Sequence, residues 1–171
     1  MSTKASSKTN GARFLDGLGI RYRLLEYEVD PDDLAATSVA RKIGMPANQV
    51  FKTLLTTDAA GGHFFAVIPG DAELDFKKLA RSAGVRKAEM VALKDVQPLT
   101  GYIRGGVTVF GAKKTFPVFV DETMELFDEI SVSSGTRGTQ IILSPADYIR
   151  AAEATVADLT KDVKPDEGRP A

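Results

Sequence analysis

The chain has 171 residues, 43% hydrophobic and 26% charged, with a net charge of −1 at pH 7, which describes one domain with a substantial core and no surface-wide attraction for a polyanion. It contains no cysteine and one histidine, which excludes disulfides, thiolate–metal sites and a cysteine nucleophile and argues against transition-metal chemistry. No apolar run approaches the about 18–20 residues that span a bilayer, and the N-terminus lacks an apolar signal core, so a cytoplasmic protein without membrane or DNA partners is expected.

Residues 1–10 are Ser/Thr/Lys-rich and are expected to be flexible, residues 11–160 to form the domain, and 161–171 to be a charged tail. Asn10 caps a predicted helix through Asp16. RYRLLEYEV (21–29) reads as a strand broken by Asp30-Pro31, and a helix follows over 33–43, stopped by Gly44. QVFKTLLTT (49–57) and HFFAVI (63–68) form a hairpin around Asp58–Gly62. A helix over 75–84 ends at Gly84, a short strand covers 86–91, and a short helix runs over 93–99. After the glycine-rich stretch 101–114 come a strand at 116–121, a helical turn at 122–127 and a hairpin from 129–134 to 139–144. Ser144-Pro145-Ala146-Asp147 starts a helix, with Ser144 at the N-cap, and 155–160 reads as one more short helix. The fold class is α+β: one mixed, largely antiparallel, barrel-like sheet of about six or seven strands surrounded by short helices.

Lys52 is the misfit in an otherwise apolar strand. Val50, Lys52 and Leu54 share one face and Phe51, Thr53 and Leu55 the other, so the strand should be covered on both sides. Either Lys52 carries its ammonium to the rim or it points it into a pocket. His63 sits at a hairpin start, and no G-x-S-x-G, P-loop or G-x-G-x-x-G motif accompanies it, so neither a serine triad nor ATP or NAD chemistry has support. Gly105-Gly106 and Gly111, flanked by Arg104, Lys113 and Lys114, suit a polar ester or a phosphate-bearing ligand, and equally a plain turn with solvated lysines. The hydroxyls of Ser133-Ser134-Gly135-Thr136 can bond a substrate or their own backbone. The basic residues Lys77, Lys78, Arg81, Arg86 and Lys87 read first as a solvated helix face.

Taken together, EYEVDP (26–31), VFKTL (50–54), VIP (67–69), GVRKAEM (84–90), TGYIRGGVTVFGAKK (100–114), VFVDET (118–123), ISVSSGTRG (130–138) and LSPADYI (143–149) resemble the YbaK/EbsC family of aminoacyl-tRNA deacylases, related to the editing domain of prolyl-tRNA synthetases. The resemblance spans roughly residues 13–160. It implies a trans-editing enzyme, free of cofactor and metal, that hydrolyses the ester of mischarged tRNA, foremost Cys-tRNA(Pro). Its partners would be the tRNA acceptor end and prolyl-tRNA synthetase. The family's lysine falls on Lys52 and its glycine loop on Gly105 and Gly106, the implied catalytic set. Tyr27, Thr53, Thr108, Ser133 and Asp147 are the implied substrate-binding set. The loop departs from the family pattern, with Thr108 for serine, Val109 for proline and Ala112 for glutamine. The amino acid removed therefore stays open between cysteine, alanine and serine, and a non-catalytic module that binds aminoacyl-tRNA or a synthetase is the alternative.

Overall fold

The structure is a computed structural model and describes residues 8–162. Eight strands and five helices are present among them: α1 (Asn10–Gly17), β1 (Arg23–Glu26), α2 (Ala36–Ile43), β2 (Phe51–Asp58), β3 (His63–Pro69), α3 (Phe76–Ala83), β4 (Ala88–Met90), α4 (Leu93–Thr100), β5 (Val118–Asp121), β6 (Ile130–Ser133), β7 (Thr139–Leu143), α5 (Pro145–Ala152) and β8 (Thr155–Ala157). Of the expected flexible ends, 1–10 and 161–171, residues 1–7 and 163–171 lie outside the described residues, and Asn10 already belongs to α1.

The strands form two sheets, not one barrel. The larger has the order β4-β2-β3-β5-β8, antiparallel through β3 and parallel from β3 to β8. The smaller, β1-β7-β6, is antiparallel. One parallel bridge, Val50 to Ser131, joins them. Closure would require β8 to pair with β1, and these lie at the free edges of different sheets. The stretch 155–160 is also not helical. Thr155 and Val156 are β-branched, and Glu153 adopts a left-handed φ of 50° that ends α5 and returns the chain to pair with β5. The first helix cap is Thr9, one residue before Asn10; its hydroxyl accepts from Ala12 N at 3.3 Å.

β2 is central and covered on both faces, as its two-sided apolar pattern requires. Phe51, Leu55, Phe65, Val67, Val118 and Val120 pack with Ile130, Val132, Ile141 and Leu143 of the small sheet and with Leu15 and Tyr148. Phe64, Ala66, Ile68 and Phe119 pack on the other side against Leu79 and Ala80 of α3 and Leu159. At the helix starts the hydroxyl of Ser144 accepts from Asp147 N at 3.1 Å, and the carboxylate of Asp75 caps α3 through Lys77 N and Lys78 N. Of the basic cluster around α3, Lys78 is committed to structure: it binds Asp158, Asp162 and Thr160 O, fastening the last described residues to the helix.

Candidate functional site

The functional geometry begins with an unfinished edge of β2. β4 pairs only with Thr56–Asp58, and the small sheet's backbone bridge to this strand, among the described residues, is at Val50, the residue before β2. Between them lies a cleft of about 530 Å³. Its floor is β2. One wall is Met90, Val91, Leu93 and Val96, from β4 and α4; the other is Arg104, Gly105 and Val107 with Ser133 and Gln140 of the small sheet, and α2 closes the end. Gly70 N donates to Val50 O at 2.7 Å, so even-numbered residues of β2 turn their backbone groups toward β3. Those of Thr53 turn toward the cleft, where no backbone or side-chain group among the described residues bonds them. The cleft floor thus presents an exposed N–H and C=O pair.

Lys52 is half-buried on that floor. Its side chain turns inward: the ammonium donates to Gly70 O at 3.2 Å and has no acidic partner within ion-pair distance among the described residues. The choice between rim and pocket resolves to the pocket. Burial pulls its pKa below the ordinary lysine range, opposed by the more distant charges of Asp71 and Glu73. In the folded protein the proton is therefore lost at lower pH than in the unfolded chain. The unfolded state binds more protons between the two pKa values, so stability rises with pH across that window. The expected signature is a stability gain on approaching the ordinary lysine pKa that Lys52→Met lacks, measured by denaturant unfolding of both proteins over alkaline pH.

The glycine loop divides into two roles. Gly105 lines the cleft at a φ of 89°, a conformation that favours glycine, and its N–H has no acceptor among the described residues. Gly106 is buried, and its N–H is already donated to Ile103 O at 2.9 Å. A side chain there would meet the backbone of Thr136 and Arg137 at 3.3–3.4 Å. Of the two glycines, Gly105 lines the cleft with its N–H unpaired among the described residues, and Gly106 lets the loop dock on the β6–β7 turn.

Four of the eight sequence-derived site residues converge on the cleft: Lys52, Thr53, Gly105 and Ser133. Thr108 is buried in the loop, its hydroxyl accepting from Phe110 N at 3.3 Å. Tyr27 lies outside the cleft lining, its ring 5.9 Å from the Lys42 ammonium and its N–H on Gly138 O. Asp147 is on α5, paired with Arg150 at 2.9 Å. His63 packs on Phe116 and is not a cleft residue. Lys113 and Lys114 do not line the cleft, whereas Arg104 does.

The structure adds residues that the sequence did not single out. Gln140 is buried at the cleft wall, its amide held by the Ser131 hydroxyl at 2.8 Å. A polar residue in an apolar strand, the signal that exposed Lys52, was there to be read. Tyr148 is fully buried; burial pushes its phenol well above the ordinary range and keeps it protonated, and the nearby Thr53 hydroxyl counters this only in part.

A model of the aminoacyl-tRNA editing domain family matches residues 31–151. The chain is 41% identical over 157 residues, 92% of its length and 96% of the relative's, to EbsC of Enterococcus faecalis, named as a candidate Cys-tRNA(Pro)/Cys-tRNA(Cys) deacylase. It is 28% identical over 100 residues to the multifunctional Ser/Thr-tRNA deacylase ProXp-y of Escherichia coli K12, covering 58% of this chain and 60% of that one. Among solved structures, the protein APE2540 superposes with a TM-score of 0.81 at 26% identity, covering 89% of this chain and 99% of that one. The chain therefore belongs to the aminoacyl-tRNA editing domain family, in the YbaK/EbsC group of deacylases.

Proposed function

We propose that the cleft removes a wrong amino acid from tRNA in trans, with Cys-tRNA(Pro) the leading substrate. The observation that supports this best is the pairing of an inward lysine with unpaired backbone donors in one cleft: Lys52 beside Thr53 N–H on the floor and Gly105 N–H on the wall. An aminoacyl ester is already activated. What a catalyst adds is attack geometry and a place for the negative charge that develops on the carbonyl oxygen. The ammonium of Lys52 and the two N–H groups supply that place. Thr53 C=O and Ser133 Oγ are acceptors for the substrate's amino group.

With cysteine as the esterified residue, its thiol sulfur attacks the carbonyl carbon. The C–S bond forms as the bond from that carbon to the ribose oxygen breaks, and the thiol proton ends on the ribose hydroxyl. The protein needs no nucleophile of its own for this step. With alanine or serine, water takes the place of the thiol. The walls are largely apolar, and apolar surfaces separate small side chains by only about 1–3 kcal/mol, so pocket contacts alone should separate cysteine, alanine and serine esters by no more than about 10–200-fold, and any larger preference for cysteine comes from its own thiol. A near-neutral protein holds RNA weakly by itself, which favours delivery by prolyl-tRNA synthetase. The test is a panel of mischarged tRNAs incubated with the purified protein: the reading expects catalytic ester loss, fastest for Cys-tRNA(Pro), and is wrong if charged tRNA is bound one-to-one with every ester intact.

A further inference from the structure

We infer that Arg104 and Arg137 form a phosphodiester clamp on the cleft rim, holding the 3′-terminal RNA backbone while the esterified end enters the cleft; this rests on the deacylase reading above and names how its substrate is held. The two residues lie 33 positions apart in sequence, one in the glycine loop and one in the β6–β7 turn, and the fold locks them together. Arg137 Nε donates to Arg104 O at 2.8 Å. The Arg137 stem lies against Gly105: a Cβ added there would meet Arg137 Nε at 3.2 Å and Cγ at 3.4 Å. The aliphatic part of Arg137 thus covers the loop, while its terminal nitrogens have no hydrogen-bond partner among the described residues. Arg104 is exposed, lines the cleft and likewise has no acidic partner within 4.0 Å among the described residues.

Among the described residues the cleft lining contains no Asp or Glu. Two guanidinium groups without counter-charges among the described residues, that of Arg104 on the cleft lining and that of Arg137 held beside it by its bond to the Arg104 carbonyl, match a bidentate acceptor of single negative charge. A phosphodiester is that acceptor. Arg104 lines the same cleft as Lys52, so an ester held by the lysine leaves the adjoining RNA backbone to the arginines. The two arginines also explain how a chain of net charge −1 recognises RNA: the positive charge is local.

The experiment compares wild type with the double variant Arg104→Met, Arg137→Met, which keeps both aliphatic stems. Binding of a short uncharged RNA ending in CCA is followed by fluorescence anisotropy across a salt series. The salt slope of log Kd should shrink by about 0.7 for each arginine removed. On mischarged tRNA, KM of the double variant should rise about tenfold or more with kcat unchanged. On aminoacyl-adenosine, which has no phosphate, the two proteins should behave alike, which also shows that the variant is folded. Equal losses on both substrates, an unchanged salt slope, or no RNA binding by wild type would overturn the clamp. So would competition by inorganic phosphate as strong as that of the RNA, which would make the rim a free-anion site. If wild type hydrolyses no aminoacyl ester, the deacylase reading falls while the anisotropy series still decides the arginines.

Discussion

Lys52→Ala and Lys52→Met are expected to lower kcat for deacylation by about two to three orders of magnitude, the cost of removing one donor from a site that stabilises a developing oxyanion. The effect should be on chemistry more than on stability. Among the described residues the ammonium has one hydrogen-bond acceptor, Gly70 O at 3.2 Å, and no ion-pair partner, and it is half-buried. A hydrogen bond of this kind contributes modestly, and the desolvation of the charge opposes it. Lys52→Met should therefore unfold within about 1 kcal/mol of wild type, or later. Denaturant unfolding together with single-turnover deacylation separates the two effects. A variant that loses activity only in proportion to lost stability would remove Lys52 from the chemistry.

Gly70→Ala should damage both the fold and the site. The residue closes the β2–β3 ladder, with its N–H on Val50 O at 2.7 Å, while the start of α2 and the 3-10 turn Ala47–Gln49 press on its other side. A Cβ would lie 2.8 Å from Val50 O, 2.9 Å from the Ala36 Cβ and 3.1 Å from Ala47 O. Two of those three are backbone oxygens, which cannot turn aside. Overpacking of this kind costs about 1–3 kcal/mol, lowering Tm by roughly 2–12 °C for a domain of this size. The shift also moves the carbonyl that orients Lys52, so kcat should fall about tenfold even well below Tm. Gly61→Ala is the control: it sits at a φ of 89° with open space around it, so it carries the backbone strain without the collision and lies away from the cleft. Thermal unfolding and kcat of the two variants side by side distinguish collision at the site from glycine loss in general.

The sequence exposed what is local. The two-sided apolar pattern of β2 singled out Lys52, and the Ser144-Pro145 start of α5 is present as read. Arg104 was flagged beside the glycines and does line the cleft. What stayed hidden depends on contacts between distant segments. Arg137 became relevant only because the β6–β7 turn docks on Gly105 and Gly106. Gly70 reads as the end of a strand; its role comes from α2 and the 3-10 turn packing over it. The α+β class is as expected, but the sheet is split in two for the same reason: each hairpin is legible, whereas whether two sheets join or split depends on which edges pair, and among the described residues one bridge, Val50 to Ser131, joins them. That split is what opens the cleft. The stretch 155–160 reads as a helix because the three-residue strand within it, Thr155–Ala157, carries no periodicity of its own and is defined by its pairing with β5.

The central claim is that the open edge of β2, with Lys52 on it, is where an aminoacyl ester is cleaved. The most direct measurement is a time course of Cys-tRNA(Pro) with catalytic amounts of wild type and of Lys52→Met, following ester loss and the released sulfur product. The account predicts many turnovers for wild type, a cyclic thiolactone as first product, and a rate for Lys52→Met close to that of buffer. Wild-type and variant proteins that clear the ester equally fast, or a wild type that protects the ester while binding it, would contradict it.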